Sequence, residues 1–249
     1  MTTAAAVAEV DRPVTTGSRL AAVLRMNLVD ARNRVGMPWV ILAAIFAINV
    51  AVFWAVRAGT GSPEGGVTGA LAALFFIVGS QYLVTMTQVM PFALSLGITR
   101  RHFYTGVLSL LAVETLLHSV LLTVLLEIEG ATGGWGVGMQ FFAVGFLSGQ
   151  NVLLTMLCYW VPMFVVGAVF LLSGAVFRRW GQLGVWALGV GVGLVVGVAV
   201  VLVTLQQAWP AVGRFLTGAP VPLLLAGYPL LVGVLAAVGG YLVVRRARV

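Results

Sequence analysis

Glu114 and His118 are the residues of this chain most suited to chemistry. They stand i and i+4 inside a long apolar run, so on a helix they share one face. Glu114 lies twelve residues past His102, or ~18 Å along a helix, which puts it near mid-depth if the run crosses a bilayer. A charged carboxylate at that depth costs on the order of 3 kcal/mol by insertion scales unless it is protonated or paired. Two uses fit. The pair forms part of a substrate pathway or proton relay, or it is a self-satisfied hydrogen-bonded pair that holds helices together. Other polar residues recur at helical spacing in neighbouring runs. Gln81, Thr85 and Gln88 form one row, Ser148, Asn151, Thr155 and Cys158 or Tyr159 another, and Asn49 stands alone. Such rows line a cavity or tie helices to one another.

Much other chemistry is excluded. A Walker phosphate loop needs a lysine to reach the phosphates, and all fourteen basic residues here are arginines. There is no His-Glu-x-x-His helix, no carboxylate cluster suited to a metal and no Gly-x-Ser-x-Gly elbow. The two histidines are too few for a histidine-rich metal site, and the single cysteine, Cys158, forbids an internal disulfide. Neither catalysis nor a bound cofactor or metal is expected of this chain alone.

The elements that position these residues follow from composition. Hydrophobic residues make up 61%, charged residues 8%, and the mean hydropathy is +1.08. Soluble domains carry about 25% charged residues, so lipid must be the main solvent. The expected fold is all-α, a polytopic membrane protein with six transmembrane helices and an N-terminal cytoplasmic amphipathic helix. The six spans are expected near 38–56, 69–92, 103–126, 150–176, 183–205 and 221–243, with an interfacial or re-entrant piece over 135–148. Residues 1–17 read as a disordered tail without a cleaved signal. Over 18–36, Leu20, Leu24, Leu28, Ala31 and Val35 share one face, and Arg19, Arg25 and Arg32 fall elsewhere, which suits a helix lying on the inner leaflet. Gly36 and Pro38 are expected to turn the chain into the membrane domain, 37–249. Gly189, Gly193 and Gly197 form two overlapping GxxxG patterns that permit close helix approach.

With the N-terminus inside, twelve of the fourteen arginines, Arg34 among them, fall on the inner side, and only Arg57 and Arg214 lie outside. This arrangement puts both termini in the cytoplasm and accounts for the net charge of +7 through lipid rather than nucleic acid. One inner connection, SLGITRRHFYTG over 95–106, stands out. Gly97 allows a sharp turn, and Thr99, Arg100, Arg101, His102 and Tyr104 come directly after it. A short element rich in arginine and aromatic residues suits a protein contact.

Six spans, a preceding amphipathic helix and the Gly-apolar-Thr-Arg turn in PFALSLGITRRHFYTG (91–106) resemble the membrane subunit of an ABC-2-type ABC transporter. The resemblance implies that two permease subunits pair, as a homo- or heterodimer. Each docks a separate cytoplasmic ATPase, which binds the ATP and magnesium, and substrate is usually exported across the cell membrane. The turn at 95–104 would be the docking element, seated as a short coupling helix. Two other readings stay open: a proton-coupled secondary transporter using Glu114 and His118, and a non-transporting membrane scaffold or immunity protein.

Overall fold

The structure, a computed structural model, describes residues 31–60, 65–143 and 151–246. It is built on helices: α1 (Ala31–Thr60), α2 (Ala72–Ser95), α3 (Arg100–Ala131), α4 (Val152–Leu205), α5 (Trp209–Gly218) and α6 (Leu223–Arg246). Two short strands, β1 (Gly66–Val67) and β2 (Met139–Gln140), pair in parallel. Among the described residues five helices are long and apolar enough to cross a membrane: Asn33–Thr60 within α1, and α2, α3, α4 and α6. Large apolar side chains such as Val40, Ile48, Val52 and Val113 are exposed on their outer faces, which requires an apolar surround. The chain is therefore a multi-pass membrane protein.

Side-chain contacts give the helix directions. Val166 and Phe170 of α4 lie against Gly79 of α2, and Gly174 lies against Met86, so α2 runs parallel to the first leg of α4. A Cβ on Gly174 would come within 2.6 Å of the Met86 Cβ, so this close approach needs glycine. In the same way Gly233 of α6 meets Phe164 and Val165, and Gly239 meets Leu172, which makes α6 parallel to that leg as well. The core between these helices is filled by Leu74, Tyr82, Met86, Phe103, Leu111, Met163 and Leu171, all fully buried.

The fourth and fifth expected spans are two helical legs that meet at Gly181 without a loop, and α4 names both. Gly181 has φ 67° and ψ −159°, a combination open essentially only to glycine. A Cβ on Gly184 would lie 3.1 Å from Val176 Cγ1, whereas residues eight apart on a straight helix are ~12 Å apart along the axis. The chain thus folds back at Gly181. Because α6 begins alongside the start of α4, the segment after Gly181 must return over the length of the first leg. Residues 182–205 span ~36 Å as a helix, which is sufficient. This return leg and α5 are almost wholly exposed. Pro162 lies within the first leg, and the helix continues through it.

Two more departures have backbone causes. Residues 18–30 of the expected amphipathic helix, and the expected tail over 1–17, lie outside the described residues. Residues 31–36 are not the end of a separate element, because α1 runs through Gly36 and Pro38 without interruption. Within α2 and α6, residues 85–89 and 223–227 form wide π turns. In each case an N–H reaches back five residues, from Met90 to Thr85 and from Tyr228 to Leu223. Each of those donors precedes a proline, Pro91 or Pro229. A proline ring crowds the carbonyl four residues back and offers no N–H, so the ladder is already interrupted and a wider turn there costs little.

Candidate functional site

The intramembrane acid does not stand with His118 alone. Arg34, at the start of α1, donates from Nε to Glu114 Oε2 at 3.0 Å. The Tyr82 hydroxyl of α2 donates to the same oxygen. Glu114 and His118 are 4% and 0% exposed, so the pair is buried in protein. The Arg34 guanidinium lies over the Tyr82 ring, 4.7 Å from its centroid, and its Nη1 reaches Thr85 Oγ1 at 3.4 Å. Three helices supply these groups.

Pro38 helps explain why Arg34 is fixed at this point. A helix would bond the Arg34 carbonyl to the amide of residue 38, and proline has none. Gln81 Nε2 of α2 donates to that carbonyl instead, at 3.0 Å. The expectation that Arg34 belongs with the surface arginines of the inner leaflet is corrected here. Glu114, its partner, lies fourteen residues, or ~21 Å, along α3 from Arg100. A buried guanidinium is tolerated there because a carboxylate and hydrogen bonds surround it.

His118 has its own partner. Trp39 Nε1 of α1 donates to His118 Nδ1 at 3.1 Å. With Nδ1 accepting, a neutral ring carries its proton on Nε2. Nε2 lies 3.9 Å from Glu114 Oε1, too far for a hydrogen bond. Neither atom has a hydrogen-bond partner among the described residues. An approach of about 1 Å would join them directly and let one proton pass between carboxylate and imidazole. The arrangement can therefore hold a charge, and it can move a proton if the two side chains rotate toward each other.

The rows of polar residues separate. Gln81 and Thr85 join the cluster, but Gln88 is exposed, because the π turn at 85–89 shifts the helix out of the register that Gln81 and Thr85 set. Thr155 is buried, while Asn151 is the N-cap of α4, accepting from Leu153 N at 3.0 Å at the exposed end of the helix. Asn151 and Thr155 thus serve the start of α4 and do not reach Glu114. Asn49 bonds its own helix, donating to the Ile45 carbonyl.

A second buried carboxylate was given no role by sequence reasoning. Glu129, at the far end of α3, is 3% exposed. Its Oε2 accepts from Trp135 Nε1 at 2.8 Å and from the backbone N–H groups of Phe141 and Phe142 at 2.9 and 3.0 Å. Its Oε1 accepts from Ala143 N at 2.8 Å. Residues 132–143 wrap around this carboxylate as an irregular loop, with Trp135 itself at φ 60°. Phe46 of α1 stacks on Phe142 and meets Trp135 and Phe141 edge to face. The described part of the expected re-entrant piece is this loop, and residues 144–150 lie outside the described ones.

The basic connection is a tight turn. Ile98 N bonds the Ala93 carbonyl and Gly97 N that of Leu94, with Gly97 at φ 82°. This left-handed closure suits glycine. Thr99 caps α3, its Oγ1 accepting from His102 N at 3.4 Å. Arg100, Arg101 and His102 therefore form the first turn of α3, and no separate coupling helix exists between α2 and α3. Tyr104 is buried, its hydroxyl donating to the Ala237 carbonyl of α6 at 2.7 Å, so it ties α3 to α6 and is not on the surface.

Among the described residues no three of His, Cys, Asp and Glu gather where a metal ion could be held. No family model matches the chain, and neither a characterised protein nor a solved structure matches it.

Proposed function

We propose that the chain is the permease subunit of an ATP-driven transporter of the ABC-2 type, paired as a dimer, docked to separate ATPases and acting as an exporter. The return leg of α4 is taken as a fifth crossing, so that α6 makes the sixth. The helix directions support this, because each leg opposes the one before it. Arg100, Arg101, Arg178, Arg179, Arg245 and Arg246 then share one end, with Arg57 and Arg214 at the other. By the bias of arginine toward the cytoplasm, that end is inside. In a Cys158→Ala background, Gly133→Cys and Thr217→Cys should label with an impermeant thiol reagent added outside. Labelling of Arg101→Cys from outside would reverse the orientation.

One observation carries the ATPase reading. The α2–α3 turn is closed by Gly97 and capped by Thr99, and Arg100 and Arg101 are continuous with the helix that holds Glu114. A push at the arginines moves α3 as a rod, and with it the carboxylate that Arg34 and Tyr82 grip. An ATPase bound at this turn would thus act on the buried charge cluster. Replacing Arg100 and Arg101 with glutamine should leave insertion intact and reduce both co-purification of the ATPase and substrate-stimulated ATP hydrolysis. Wild-type values for both would end this reading.

The facing atoms Glu114 Oε1 and His118 Nε2 favour a second reading, a proton-coupled transporter. Transport by the purified chain in vesicles, driven by a pH gradient without ATP or an ATPase, would select it.

A further inference from the structure

Two cavities meet at the arginine-rich end of α3 and α6, and they differ in chemistry. One, of about 290 Å³, is lined by Arg101, Tyr241 and Arg245, with Thr99, Arg100 and Val244. The other, of about 500 Å³, shares Arg101 and Tyr241 and continues along Leu108, Phe164, Val234 and Val238. Val234 and Val238 are about half exposed, so the apolar part opens sideways from the helix bundle. Tyr241 stands beside Tyr104, ring centroids 6.0 Å apart, and walls the junction. The result is a trough with a basic mouth at the membrane surface and an apolar bed running along the helices.

We propose that this trough binds an anionic glycerophospholipid of the cytoplasmic leaflet, its phosphate between Arg101 and Arg245 and one acyl chain along Val234, Val238 and Phe164. Charge complementarity chooses the occupant. The described carboxylates lie elsewhere: Glu114 is held by Arg34, and Glu127 and Glu129 stand near the far end of α3. Glu114, the nearest of them along α3, is thirteen residues, or ~20 Å, from Arg101. A free phosphate would use only the mouth, whereas the apolar bed opens where acyl chains lie. A zwitterionic lipid offers the same phosphate but sets its choline cation beside the two guanidinium groups, and like charge disfavours it there. The inference depends on the membrane setting and needs no ATPase.

The test is native mass spectrometry of the purified full-length chain. It would be titrated with phosphatidylglycerol and, separately, with phosphatidylcholine of the same acyl length. Preferential retention of phosphatidylglycerol is expected, and inorganic phosphate in millimolar excess should not displace it. Arg101→Gln and Arg245→Gln should each lower the preference about fivefold, in line with the contribution of one arginine near an anionic surface, and the Arg101/Arg245 double variant should lower it further. Val238→Trp, which fills the bed, should lower retention of both lipids. Arg178→Gln with Arg179→Gln removes equal charge from the same end outside the trough and should change nothing. Equal retention of the two lipids would overturn the proposal. So would displacement by inorganic phosphate, or a loss of preference as large in the Arg178/Arg179 variant as in the Arg101/Arg245 variant. Melting temperatures near wild type separate these outcomes from misfolding. Since no ATPase is present, failure of the docking reading leaves this result untouched.

Discussion

Glu114 and Glu129 lie on one helix, fifteen residues apart and equally buried, yet they are held in opposite ways. Glu129 accepts four hydrogen bonds, three from backbone amides and one from an indole, and no cation among the described residues touches it. Glu114 has a guanidinium and a phenol on one oxygen, and no described residue bonds the other. A carboxylate saturated by neutral donors on its own loop is a pin. It shapes residues 132–143 and has little freedom to do anything else. A carboxylate balanced by an arginine from another helix, with one oxygen unsatisfied beside a histidine, can change partners. The second kind of site belongs at a place that moves.

Removing each grip tests that contrast, and the largest effect is expected at the pin. Glu129→Ala leaves four donors without their acceptor, and at 1–3 kcal/mol for each unsatisfied buried group even a relaxed loop should lose about 4 kcal/mol. Melting in lipid nanodiscs together with proteolysis between Gly133 and Gly138 would report it. Wild-type protease resistance would mean that Glu129 is not what shapes the loop.

Arg34→Met strands Glu114 in the bundle and should cost on the order of 3 kcal/mol. Adding Glu114→Met should restore most of that stability, because replacing a whole buried ion pair by apolar groups is often close to neutral. If the cluster works in transport, the stable double variant stays inactive. A double variant that transports at the wild-type rate would reduce Glu114 to a structural partner like Glu129.

Tyr82→Phe removes one of the two donors on Glu114 Oε2, an interaction with a charged group worth about 2 kcal/mol. A double-mutant cycle with Arg34→Met should show coupling between the two, since they share an acceptor. Additive losses would mean that the phenol and the guanidinium act independently. The smallest effect is expected for Trp39→Phe, which takes one neutral hydrogen bond from His118 Nδ1 at about 1 kcal/mol. Near-normal stability with altered proton-driven transport would strengthen the proton reading, and no change in either would weaken it.

The sequence made part of this site legible. The i, i+4 spacing of Glu114 and His118 placed them on one buried face, and the spacing of Gln81 and Thr85 did the same on α2. Gln88 belonged to the same row on paper, but the wide turn before Pro91 carried it to the surface. Arg34 has the sequence setting of a topology signal, because it comes after other arginines and precedes an apolar run. The one available hint was Pro38, four residues on, which frees the Arg34 carbonyl and so calls for an outside donor. Glu129 left no signal, since its partners are mostly backbone amides, which any residue possesses.

Composition by itself determined the solvent. A chain with so few charges cannot cover a water-facing surface, and its long apolar runs satisfy their backbone only as helices. Local spacing further determined which residues share a helix face, because that depends on 3.6 residues per turn and nothing else. Only the tertiary structure decided the partners. Arg34 meets Glu114 across eighty residues, Glu129 closes on a loop that glycines allow, and Gly181 folds the second leg of α4 back on the first. Pairings of this kind depend on how helices pack and where the chain turns, and the spacing of residues along a single helix carries no record of either.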